Sequence, residues 1–230
     1  MTISPDAVVY CYLGSFPVNA TLVFTWAVMG VLVLLSWLVT RNISSEVSIS
    51  RWQNFLEITV SAIQKQIREV SNQEANHYIP FIGTLFLFIL TANVLSVVPG
   101  FFPPTGSFST TVALAICVFI AVPIYGVTSR GWRAYLQAYI KPTCIMLPFN
   151  IIGELSRTLA LAVRLYGNMM SGTVIIAILL GVVPMFFPVV MHALGLLTGV
   201  IQAYIFSILA MVYIASASKS ARHSHQSTTI

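Results

Sequence analysis

Five apolar stretches, each near or beyond the ~20 residues needed to cross a hydrocarbon core, dictate what this chain can fold into. They run from Ala20 to Val39, Tyr78 to Val98, Ser109 to Thr128, Thr143 to Leu180 and Val189 to Ala217. A soluble fold would have to cover them with polar surface that the chain lacks. Only 7% of the 230 residues are charged, against about 25% in soluble domains. Backbone polar groups in lipid must be satisfied within the segment, so the spans are expected to be helices. The expected fold is therefore an all-α polytopic membrane protein forming one membrane domain, residues 1–230.

The basic residues fix its orientation. Arg41, Arg51, Lys65 and Arg68 lie between the first and second spans, and Arg130, Arg133 and Lys141 between the third and fourth. Lys219 and Arg222 follow the fifth, in a tail over 218–230. The loops on the other side, Pro99 to Phe108 and Gly181 to Pro188, carry no charge. Excess Lys and Arg marks the cytoplasmic side, so the N-terminus is expected outside and the C-terminus in the cytoplasm. With Asp6 and no basic residue ahead of the first span, no cleavable signal peptide is expected. The net charge of +5 is thus topological. No basic run interleaved with aromatics points to nucleic acid.

Between the first two spans, Ser50 to Ser71 reads differently. Trp52, Phe55, Leu56, Val60, Ile63, Ile67 and Val70 recur at helical spacing, with polar residues between them. That pattern predicts an amphipathic helix on the cytoplasmic interface, or packed on a partner or the protein's own loops. The fourth and fifth spans are overlong: thirty-eight residues from Thr143 to Leu180 would make about 57 Å of helix against a core of ~30 Å. With Pro184 and Pro188 at the turn, a long tilted antiparallel hairpin is expected.

The fourth span carries a polar stripe. At ~100° per residue, Arg157, Arg164, Asn168 and Ser171 fall within about 60° of one another, with Ala160 and Gly167 beside them. Glu154 lies at the edge of the same face and can pair with Arg157. A guanidinium stays charged at any physiological pH, and at mid-membrane it costs at least about 2.5–3.5 kcal/mol. Arg164 has no other carboxylate within the spans, because only Glu154 of the six acidic residues lies in one. Its counter-charge is either an unrecognised ion pair in the bundle or a group on another subunit. On the fifth span Gly195, Gly199, Gln202 and Phe206 line one face, and the small residues would let a neighbouring helix approach. His192 near the outer end is a proton-relay candidate or a structural histidine. Cys11, Cys117 and Cys144 form no CxxC pair and read as packing residues.

The stretch Pro148-Phe-Asn-Ile-Ile-Gly-Glu154-Leu-Ser-Arg157-Thr-Leu-Ala-Leu-Ala-Val-Arg164-Leu-Tyr-Gly-Asn168-Met-Met-Ser-Gly172 closely resembles the signature of subunit a of F-type ATP synthases. Ile201-Gln202-Ala-Tyr-Ile-Phe206 resembles that family's motif on its last helix, and Asn93, Pro99, Gly100 and the Pro104 to Thr111 loop also fit. The resemblance runs from about residue 78 to 216. It implies a membrane stator beside a rotating c-subunit ring, with two offset aqueous half-channels separated by Arg164. It also implies b-type peripheral stalk subunits, the F1 sector as an indirect partner, and the bacterial inner membrane as the location. Gln202 and Asn168 would stand by the arginine, and Ala160, Gly167, Gly195 and Gly199 would face the ring.

Where proton-driven members commonly hold a Glu/His pair, this chain has Thr173 and Gly195. That departure, the short length and the Pro-Thr-Gly-Ser-Phe-Ser variant resemble the sodium-associated N-type branch, leaving H⁺ and Na⁺ both open. A self-contained transporter whose Arg164 binds an anionic substrate is the alternative, and it predicts an internal repeat that the sequence does not show. No GxxxxGK[ST] pattern occurs, so no nucleotide chemistry, cofactor or metal site is expected on this chain, and His223 and His225 read as solvated tail residues.

Overall fold

The computed structural model describes residues 9–13, 16–41, 78–98, 100–132, 135, 146–182 and 187–219. Within them run five helices: α1 (Ala20–Arg41), α2 (Ile79–Leu95), α3 (Phe108–Arg130), α4 (Met146–Val182) and α5 (Phe187–Lys219), with a 3-10 turn at Pro104–Gly106. Each coincides with one expected span. Four are long and apolar enough to cross a membrane, and α2 is a shorter apolar helix of 17 residues. The chain leaves α2 in successive tight turns, from Ser96 N–H to the Asn93 carbonyl and on to Val98. The amphipathic segment Ser50 to Ser71 and most of the tail from 218 lie outside the described residues.

One element departs from the all-α expectation. Ahead of α1, β1 (Val9–Leu13) and β2 (Phe16–Asn19) pair antiparallel, with a bulge between Val9 and Cys11. The runs are rich in Val, Tyr and Phe and are separated by Gly14-Ser15, which is a hairpin signal too short to register beside the long spans. Pro17 is tolerated because a two-stranded hairpin has only edge strands.

The helices pack around one core. Ile82, Leu85 and Ile89 of α2 meet Ala115, Val118 and Val122 of α3, with Leu161 and Leu165 of α4 and Phe206, Ala210 and Ile214 of α5. The outward faces are as apolar as the core: Trp26, Val33, Leu155 and Ile178 are all exposed. In water such a surface would aggregate, but it is what helices facing hydrocarbon require. α1 packs mainly on α2, and its Phe24 meets the Phe101 ring edge-on at 4.9 Å. Across α2 and α3, the Tyr78 and Ser129 hydroxyls stand 3.1 Å apart.

α4 is 37 residues long, about 56 Å of helix. It packs on α3 and α5, yet only 6% of its spanning window is buried within the chain. Pro148 falls in its first turn, where a missing N–H leaves no bond unmade. α4 and α5 run antiparallel: Asn168 reaches Thr198, and eleven residues earlier Arg157 reaches Tyr213.

Candidate functional site on the α4 and α5 hairpin

α4 has one buried edge and one open face. Leu161, Ala162 and Leu165 are buried against the other helices. Arg157, Ala160, Arg164, Gly167 and Ser171 are exposed, so the stripe read from helical spacing lies on the outside of the chain. Nothing approaches within 4 Å of where a Cβ on Gly167 would stand. The surface beside Arg164 is therefore open to a helix from elsewhere. Leu155 and Leu159, opposite the stripe, are also exposed and lie where lipid would be.

Arg164 has no carboxylate or hydrogen-bond partner among the described residues. No described residue neutralises its charge. Arg157 is handled differently: its guanidinium carbon lies 5.8 Å from the centre of the Tyr213 ring on α5, a geometry in which the ring face attracts the cation. Helical spacing points to Glu154 as its partner, whereas the group that stands against it is Tyr213. The residues are 56 positions apart, and no spacing rule connects them.

Asn168 turns from the stripe toward α5, and its Nδ2 donates to the Thr198 carbonyl at 3.3 Å. The Ser171 and Thr173 hydroxyls donate to carbonyls of their own helix, Asn168 at 3.1 Å and Met169 at 3.0 Å. His192 is exposed near the start of α5. Glu154 is half-buried, and the Thr158 hydroxyl donates to its carbonyl at 3.0 Å.

Gln202 is only 5% exposed, and its Nε2 has no hydrogen-bond partner. In an apolar setting an unmatched amide nitrogen costs about 1–3 kcal/mol. One residue here corrects the sequence reading. Gly199, expected to face a neighbouring ring, is buried inside the bundle, where a Cβ would come within 3.0 Å of the Asn93 side chain of α2. A glycine at helical spacing from a polar residue shows that something approaches closely, without showing what. Gly195, one turn earlier, has open space around it.

The ATP synthase A chain family model matches residues 22–215. The chain belongs to that family. It is 62% identical over 226 residues to ATP synthase subunit a 2 of Acaryochloris marina, covering 98% of this chain and 97% of that one. It is 59% identical to ATP synthase subunit a of Albidiferax ferrireducens, with 95% of each chain covered. With ATP synthase subunit a 1 of Chlorobaculum parvum it shares 58% identity over 96% of this chain and 97% of the other. The family resemblance carried by the arginine motif is thus confirmed over nearly the whole length. As a family member with membrane-spanning helices the chain is a multi-pass membrane subunit and not itself the catalytic one. The self-contained transporter reading receives no support from these relatives.

Proposed function

We propose that this chain is the ion-translocating stator subunit of a rotary F-type ATP synthase. In this reading Arg164 faces the carboxylates of a rotating c-subunit ring and separates two aqueous half-channels. The observation that carries it is an exposed arginine, without a partner among the described residues, near the middle of a largely apolar helix. Such a charge is tolerable only where another subunit or water meets it. A fixed cation stabilises the ionised form of a carboxylate that comes opposite, so the ring site releases its bound ion there. The same charge repels a second cation, which closes the direct route from one half-channel to the other.

The small exposed residues Ala160 and Gly167 let the ring's helices come close, and Gly195 serves the same face. Asn168 and Gln202 line the approach, with Ser171, Thr173 and His192 toward the outer end of the hairpin. Glu154 and Arg157 lie toward the cytoplasmic end. The hairpin of α4 and α5 is tilted along the ring, because helices of this length exceed the hydrocarbon thickness. The N-terminus is outside and the C-terminus in the cytoplasm of the bacterial inner membrane. The b-type stalk subunits hold the chain against rotation, and the F1 sector is coupled through the ring and stalk. Thr173 and Gly195 supply no titratable pair, which favours Na⁺ carried by oxygen ligands or H⁺ carried by water. Dependence of ATP hydrolysis on Na⁺ in the complex separates these ions.

The test is ATP-driven ion uptake into vesicles containing the complex with Arg164→Ala. Assembly should persist and coupled uptake should vanish. Uptake at the parental rate would overturn the proposal.

A further inference from the structure

One turn before Gln202, side chains from two other helices donate to the carbonyls of two consecutive residues of α5. Asn93 of α2, 1% exposed, donates its Nδ2 to the Gly199 carbonyl at 2.8 Å. Its Oδ1 accepts from Thr105 of the 3-10 turn, fully buried, at 2.8 Å. From the other side, Asn168 of α4 donates to the Thr198 carbonyl at 3.3 Å. Gly199 makes this approach feasible, since a Cβ would stand 3.0 Å from that of Asn93.

Carbonyls of consecutive helical residues are turned ~100° apart about the axis, with a rise of ~1.5 Å. Two donors fixed to neighbouring helices therefore define both the rotation and the depth of α5 at this level. A helix held at one carbonyl can swivel, but one held at two cannot without breaking a bond. Thr198 and Gln202 are four residues apart and share a face, so the clamp also fixes where the Gln202 amide stands. That amide is buried with an unmatched nitrogen, and small rotations of α5 would carry it out of its place or leave it against apolar side chains.

We propose that Asn93, oriented by Thr105, is a positioning residue for the ion pathway: it holds α5 through Gly199 so that Gln202 keeps its place in register with Arg164. The inference rests on the stator reading above. Asn93 needs no contact with the transported ion for this role. Both ends of its amide are engaged, the nitrogen by the Gly199 carbonyl and the oxygen by the Thr105 hydroxyl.

The test is made on the assembled ATP synthase complex in vesicles, with ATP-driven ion uptake normalised to the amount of complex. Hydrogen bonds between membrane helices are worth about 0.6–1.7 kcal/mol, and about 1.4 kcal/mol is tenfold, so Asn93→Leu should lower uptake per complex about three- to twentyfold. Thr105→Val, which removes only the orienting hydroxyl, should lower it less, and Thr105→Ser should restore it. A cysteine at Gln202, in a chain with its three native cysteines replaced by serine, reports the rotation directly. Asn93→Leu should raise its reactivity toward a small thiol reagent several-fold. A purely structural Asn93 would reduce the amount of complex while leaving uptake per complex and thiol reactivity unchanged, and that result overturns the inference. If Asn93→Leu does not assemble, Thr105→Val against Thr105→Ser decides, and equal uptake by the two is refutation. Failure of the stator reading looks different, because Arg164→Ala would then also leave uptake intact.

Discussion

Arg164 and Asn93 are both polar side chains in apolar helices, and they meet that predicament in opposite ways. Asn93 is buried and has both ends of its amide matched within the chain. Arg164 is exposed on an outer face and has no partner among the described residues. A matched group is part of the scaffold, and removing it loosens how helices sit. In the proposed function that charge meets a partner on another subunit, and removing it should abolish an exchange with that partner while the fold persists. Gln202 lies between the two: buried like Asn93, yet with an unmatched nitrogen.

Substitutions can break this comparison. The largest expected effect is at Arg164, where alanine should eliminate coupled transport with little change in the amount of complex assembled, as measured by uptake against immunoblot. Next is Gly199→Ala, whose new methyl group must push Asn93 aside. Overpacking of this kind typically costs about 1–3 kcal/mol, so a lower midpoint of thermal inactivation is expected together with reduced uptake. A smaller effect is expected at Tyr213. Exposed cation–π contacts contribute about 0.5–1 kcal/mol, so Tyr213→Leu should reduce uptake by no more than about fivefold and Tyr213→Phe should leave it near parental. Equal losses in both would show that the hydroxyl, rather than the ring over Arg157, matters. The smallest is Thr173→Val, whose hydroxyl bonds only its own helix. It should change uptake by less than about twofold, since a hydroxyl bonded to its own helix can line the path without carrying the ion, and a larger loss would give Thr173 a direct part in ion transfer.

Most of the architecture was legible because hydrocarbon imposes a crude, strong rule on sequence. All five helices lie on the apolar stretches, with ends within a few residues. The polar stripe of α4 was legible too, since 3.6-residue periodicity needs no knowledge of neighbours, and the structure leaves that stripe exposed. What escaped was pairing across distance. Asn93 and Gly199 are 106 residues apart, and the sequence offered only an amide in one span and a glycine in another. Gly199 was consequently assigned to an outer face that it does not occupy. The β-hairpin before α1 escaped for another reason, since two short strands make a weak signal beside a 22-residue apolar helix.

In the proposed assembly the open face of α4 around Arg164 meets the ion-binding helix of the ring. Disulfide formation tests it most directly, with one cysteine at Gly167 and another next to the ring carboxylate in the assembled complex. Rapid cross-linking is expected from Gly167→Cys, about 60° around α4 from Arg164, and none from Leu159→Cys, about 140° from it. Cross-linking from Leu159→Cys but not from Gly167→Cys would contradict it.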